Sequence, residues 1–205
     1  MGMAYALGIP RGFKYVRAST VDEALKLLNE YGGDAKVLAG GMSLMPMLKL
    51  RMTEVKYLID ILGINDLRYV KVEGNYLRIG ALVTHNDIAM NKLINDNAKV
   101  LSESAWHIAD IQVRNLGTIG GSLAHADPAA NYYPALIALD AEVMIRGGIG
   151  TERTVKVSEL YKGPYTTDLK PNELITEVRI PLSGFRGAFM NSLGGGVVRH
   201  SRVLS

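Results

Sequence analysis

The sequence predicts an α+β fold, and three observations carry that expectation. Apolar residues make up 48% of the 205 residues and charged residues only 21%, so the chain can bury enough surface to offset its ordering entropy. Segments with helical and with strand character follow one another without regular alternation, which disfavours a doubly wound parallel sheet. Two paired-glycine segments, "AGGMSL" at 39–44 and "IGGSLA" at 119–124, punctuate the chain, and both place Gly-Gly ahead of a Ser and a Leu. At this length one compact unit or two small lobes are expected.

The elements follow from local signals. A short strand is expected at 13–16, then a helix whose start is marked by the T-x-x-E pair Thr20 and Glu23. Val21, Ala24, Leu25 and Leu28 share one face of that helix, and Gly32 follows it as a left-handed cap. A second strand at 36–39 runs into Gly40 and Gly41. Residues 55–61 and 76–82 read as strands, and 87–94 and 99–108 as helices. Asp127 suits an N-cap and Pro128 the first helical position, so a helix is expected from there through Ala135, Leu136 and Leu139. Strands follow at 142–146, 154–157 and 174–180.

Composition excludes several functions. With no cysteine, the chain offers no disulfide, no thiolate nucleophile and no cysteine-ligated zinc or iron–sulfur cluster. The net charge of +3 is dispersed, with no basic block carrying interleaved aromatics, which speaks against nucleic acid. No apolar run approaches the ~20 residues of a membrane span, and the opening "MGMAYALGIPRG" lacks the order of a signal peptide, so the expected location is cytoplasmic.

Paired glycines permit positive φ and let a backbone approach a ligand without a Cβ in the way, so that successive N–H groups can converge on an anion. Two such segments could surround a pyrophosphate from both sides. An ordinary turn is the plainer reading of each alone. Neither segment is a P-loop or a G-x-G-x-x-G of a dinucleotide fold. His125 and Asp127 read as a loop residue and an N-cap before they read as metal ligands. His85 and His107 read as capping or packing residues, Trp106 as core, and Ser43 and Ser122 lack the partners of a hydrolase triad.

In "DAKVLAGGMSLMPMLKLR", "LRIGALVTHNDI", "IADIQVRNLGTIGGSLAHADPAANYYPALIALDA" and "ELITEVRIP", found in that order between Phe13 and Pro181, the sequence resembles the FAD-binding medium subunit of the molybdenum hydroxylases, the group of carbon monoxide dehydrogenase, aldehyde oxidoreductase and xanthine dehydrogenase. The resemblance implies a two-lobed FAD-binding fold of the vanillyl-alcohol oxidase (PCMH) type, with lobes at 1–57 and 58–182 and the flavin between them. It implies that Ala39, Gly40, Gly41, Met42, Ser43 and Leu44 supply backbone N–H groups to the FAD pyrophosphate, with Leu38 among the FAD-binding residues. Thr118, Ile119, Gly120, Gly121 and Ser122 would face it from the second lobe. Asp127 would orient that segment, and His125 would be among the residues that bind FAD. Asn131 would meet the adenosine part, keeping an acceptor but losing the charge of the Asp common there, and Leu174 and Ile175 would lie near the isoalloxazine. No residue need be catalytic. Electrons would pass from a molybdopterin-binding large subunit through a [2Fe–2S] small subunit to FAD and an external acceptor. Relatives of this type continue into a further C-terminal domain, whereas "GAFMNSLGGGVVRHSRVLS" ends this sequence, and residues 183–205 are expected to be an aberrant tail produced by truncation or a frame shift. Two other readings stay open: a stand-alone flavoprotein reductase, and a remnant that keeps the fold but holds FAD weakly or not at all.

Overall fold

The computed structural model describes residues 12–148 and 150–182; the expected tail at 183–205 lies outside them. The chain opens with β1 (Lys14–Arg17), α1 (Val21–Tyr31), β2 (Ala35–Leu38), α2 (Leu44–Lys49) and β3 (Tyr57–Asp60). β3 lies centrally and pairs in parallel with both β1 and β2, with Leu58 opposite Tyr15 on one side and Lys36 on the other. Its Leu58 and Ile59 are buried, as expected of a parallel strand covered on its faces. α1 packs on this sheet through Val21, Ala24, Leu25 and Leu28, the four residues its periodicity selects. Thr20 caps it by accepting the Glu23 N–H, but the Glu23 carboxylate reaches back to Ser19 N–H, one residue earlier than a capping box requires. Gly32 follows at φ 53° and ψ −134°, so its positive φ is used but it does not enter the left-handed basin. The boundary expected after residue 57 falls within β3, and the core of the first lobe continues through Ile61, Ile64 and Leu67.

The second lobe is built on an antiparallel sheet, in the spatial order β4 (Val70–Glu73), β5 (Tyr76–Gly80), β10 (Leu174–Pro181), β6 (Glu142–Arg146) and β7 (Glu152–Lys156). Helices α3 (His85–Met90), α4 (Lys92–Asn97), α5 (Lys99–Trp106), α6 (Ile111–Leu116), α7 (Ile119–His125) and α8 (Tyr132–Ala138) lie between β5 and β6 in sequence. Short α9 (Val157–Leu160), β8 (Tyr161–Gly163) and β9 (Thr166–Thr167) connect β7 to β10. A bulge in β10 between Ile175 and Glu177 shifts its register against β6. Beyond the bulge Val178 and Ile180 lie in the core of the second lobe, while the carboxylate of Glu177 meets Arg78, Arg179 and the hydroxyl of Tyr69.

Three expected elements are corrected. The helix expected over 87–94 is two helices, because Asn91 adopts extended backbone and turns its side chain to the Ile94 N–H. The helix expected from Asp127 begins only at Tyr132. The Asp127 carboxylate instead accepts the Ala129 N–H and its carbonyl the Ala130 N–H, closing a local turn just after Ala126 has redirected the chain at φ 52°. Trp106 is 47% exposed rather than core, and the Arg114 guanidinium lies over its ring.

The lobes are joined by more than the covalent chain. Leu82 and Leu174 from the second lobe complete the core of the first. Leu82 N–H donates to Leu67 O, Arg146 pairs with Asp22 at 2.7 Å, and Asn172 donates to Asn29 at 3.1 Å. Gly120 sets the packing of α7 on Ala81, just after β5, since a Cβ there would stand 2.6 Å from the Ala81 Cβ and 2.9 Å from its carbonyl oxygen. Gly120→Ala should therefore destabilise the protein by about 1–3 kcal/mol. Gly33→Ala, with open space around the position, should change stability by less than about 0.5 kcal/mol, both variants being compared with the wild type by urea titration.

Candidate functional site

The C-terminal ends of parallel strands leave a ready crevice, and the first glycine segment lies there, between β2 and α2. Gly41 takes φ 72°, which explains one of the two glycines. Gly40 has a different reason: a Cβ there would stand 2.0 Å from the Leu116 carbonyl oxygen and 2.7 Å from Gly117 Cα. The turn that ends α6 thus presses directly on the first segment, and Gly121 in α7 comes close to Ala39. Residues far apart in sequence meet here, as the pairing of the two segments predicts.

Their chemistry is unequal. Among the described residues the N–H groups of Gly40, Gly41, Met42, Ser43 and Leu44 have no protein acceptor, and Ser43 precedes α2 without a side-chain cap bond. The second segment is no loop but the first turn of α7, with its donors already engaged. Ile119 N–H donates to Val83 O, Gly120 N–H to Ala81 O, Gly121 N–H to Thr118 Oγ1 and Ser122 N–H to Thr118 O. Only the first segment is a nest of free donors, and the second is a wall facing it.

The remaining expected residues divide. His125 packs its ring against Tyr165, and the turn held by Asp127 leads to Asn131, which is half-buried before α8 and makes no cap bond. Leu38 ends β2 beside the nest. Leu174 and Ile175 are 6% and 3% exposed, and their side chains pack in the cores of the first and second lobe respectively. Ile119 is likewise core.

His85 takes a place its sequence only half suggests. Its ring is buried beneath the Leu116–Gly117 turn, with Nδ1 2.9 Å from the Tyr132 hydroxyl oxygen. Burial lowers its pKa to about 4 and pushes that of Tyr132 well up. The capping sequence Thr84 to Asp87 gives no sign of this, because the partner Tyr132 lies on a distant helix. His107 is exposed and turns Nδ1 to the Glu103 carbonyl at the end of α5, the capping role expected of it.

Residues 11–183 match the family described as the FAD binding domain in molybdopterin dehydrogenase. The chain belongs to that family. It is 41% identical to the glyceraldehyde dehydrogenase medium chain of Sulfolobus acidocaldarius over 88% of its own length and 64% of that protein's. It is 44% identical to the carbon monoxide dehydrogenase medium chain of Hydrogenophaga pseudoflava over 84% of its length and 60% of that protein's. The chain thus spans about three-fifths of these relatives. Among solved structures it resembles a carbon monoxide dehydrogenase from Hydrogenophaga pseudoflava (TM-score 0.84, 39% identity, 93% of this chain and 67% of that one). Quinoline 2-oxidoreductase from Pseudomonas putida 86 is similar too (TM-score 0.86, 30% identity, 92% of this chain and 65% of that one). The fold is the expected two-lobed α+β one, and the cofactor of the family domain is FAD. Among the described residues no helix is long and apolar enough to cross a membrane.

The two kinds of titrating group act in different windows. His85 has an ordinary value of 6.5 and a folded value of about 4, so below pH 6.5 the unfolded chain takes up a proton that the folded chain refuses. Stability should fall as pH drops from 6.5 toward 4 and level off once the folded state also binds the proton. For Glu177, burial raises the pKa, but the bonds from Arg78, Tyr69 and Arg179 outweigh it and hold the carboxyl below its ordinary value of 4.5, so its contribution is lost only at lower pH. Urea titrations of the apoprotein across pH 7 to 4.5 should show a slope that His85→Gln flattens; an identical slope in the variant would show that another group carries it.

Proposed function

We propose that the chain is the FAD-binding electron-transfer subunit of a molybdenum-containing hydroxylase or dehydrogenase. It would receive electrons from the [2Fe–2S] clusters of a small subunit, which draws them from a molybdopterin-binding large subunit, and deliver them to an external acceptor. The observation that carries the cofactor site is the row of N–H groups from Gly40 to Leu44 without an acceptor among the described residues, opposed at contact distance by the Leu116–Gly117 turn. Such donors suit a pyrophosphate, whose charge they meet with dipoles and without a fixed cation. Thr118, Gly121 and Ser122 would wall the opposite side, and His125, Asp127 and Asn131 would lie along the adenosine half.

FAD supplies the redox chemistry when bound. The protein's share is to hold the pyrophosphate, to fix the gap between the segments and to exclude water from the space between the lobes. The absence of cysteine supports the division of labour, since no iron–sulfur cluster can be ligated by cysteines of this chain. Similarity to the medium chains of dehydrogenases and to a 6-hydroxypseudooxynicotine dehydrogenase complex subunit alpha supports a place in a larger assembly.

Gly121→Val tests the site. A Cβ at this position points past Thr118 Oγ1 toward Ala39, so a branched side chain enters the gap between the segments. The variant should unfold cooperatively yet retain no FAD; full flavin stoichiometry in the folded variant would place the pyrophosphate elsewhere. The assembly is tested separately by affinity capture of the chain from its native cells. Molybdenum and iron recovered with the flavin are expected, and flavin without either metal would favour a stand-alone reductase.

A further inference from the structure

His85 is the first residue of α3, yet the residue is only 5% exposed and its ring lies against the turn that faces the nest. Its backbone N–H donates to Gly117 O at 2.9 Å, and its neighbour Thr84 bridges to Thr118. A Cβ at Gly117 would stand 2.6 Å from Nε2 and 2.8 Å from Cδ2 of the ring. Gly117 has φ −62°, an angle open to any L residue, so the His85 ring and the nearby Val113 carbonyl, rather than the backbone angle, exclude a side chain there. On its other side the same turn reaches Gly40, where a Cβ would meet Leu116 O at 2.0 Å. The ring of His85, the turn and the nest are therefore stacked in series, with no free space between them.

We propose that His85 is a positioning residue for FAD: its imidazole, oriented by the Tyr132 hydroxyl, sets how near the Leu116–Gly117 turn stands to Gly40 and thereby the width of the pyrophosphate gap. The inference rests on the assignment of that gap to FAD. Tyr132 directly follows Asn131, so the same hydrogen bond ties the segment along the adenosine half to the segment at the pyrophosphate. Loss of the ring leaves the turn unsupported, and misplacement of a binding group by even an ångström is costly.

The test measures the dissociation constant for FAD by flavin fluorescence, beside the Tm of the apoprotein, on the full chain. His85→Ala should weaken FAD by about tenfold or more in protein that still unfolds cooperatively. His85→Gln, whose amide reaches toward the place of Nε2, should recover to within about threefold of the wild type, as a restored support predicts. Gly117→Ala should weaken FAD in the wild-type background but relieve the defect of His85→Ala, because the added methyl refills the vacated volume. A merely structural filler would lower Tm and leave the affinity of the folded protein unchanged, and that result, or additivity of the two substitutions, overturns the proposal. Where His85→Ala does not fold, Tyr132→Phe decides: reduced FAD affinity in the folded variant is expected, and wild-type affinity overturns the proposal. Gly121→Val separates the two levels. If FAD binding survives it, the site lies elsewhere and the positioning role falls too; if it abolishes binding while the His85 and Tyr132 variants bind normally, only the positioning role is overturned.

Discussion

The close approach of Gly40 to the backbone of Leu116 and Gly117 is the constraint on which the rest of the structure depends. A Cβ at position 40 would stand 2.0 Å from the Leu116 carbonyl oxygen and 2.7 Å from Gly117 Cα, so the two main chains come this near only because residue 40 is glycine. Because the contact is backbone to backbone, it joins the C-terminal end of the first lobe's sheet to the helical layer of the second lobe without an adaptable side chain between them. The shared core residues Leu82 and Leu174 and the Arg146–Asp22 pair then hold the lobes in the relation that this contact demands. The interlobe ion pair is half-exposed and adds little energy by itself; the apolar burial does more.

The two glycine segments look alike in sequence and differ in physics. In the first, glycine frees the backbone and leaves a row of donors unsatisfied, a costly state for partly buried N–H groups unless something takes them. In the second, glycine sits within a helix whose early donors are claimed by Val83, Ala81 and Thr118. There it serves to bring α7 against Ala81. The division gives one face of free donors and one face that shapes the gap.

Much of the fold was legible in the sequence. The face of α1, its Thr20 cap and the strands at Glu142–Arg146 and Leu174–Pro181 follow from periodicity and capping signals that are local by nature. What was not legible depends on contacts between distant residues. Glycine disfavours helix by about 1 kcal/mol against alanine, so Gly120 and Gly121 read as a loop, whereas packing against Ala81 decides for helix. Asp127 and Pro128 carry a helix-start signal that a local turn consumes instead. Trp106 reads as core by composition but covers Arg114 at the surface, and the tie between His85 and Tyr132 joins helices far apart in sequence. The nest itself was legible as a pattern, but its asymmetry was not, because hydrogen-bond donors are used up by partners that only the folded chain brings near.

We propose that the row of amides from Gly40 to Ser43 receives the cofactor's pyrophosphate while the amides of Ile119 and Gly120 remain bonded to the protein. Backbone amide NMR of the apoprotein titrated with FAD measures this directly. Downfield shifts and new protection from exchange at Gly40, Gly41, Met42 and Ser43, with Ile119 and Gly120 protected throughout, are predicted. Saturable FAD binding that leaves the first four amides unmoved would contradict it.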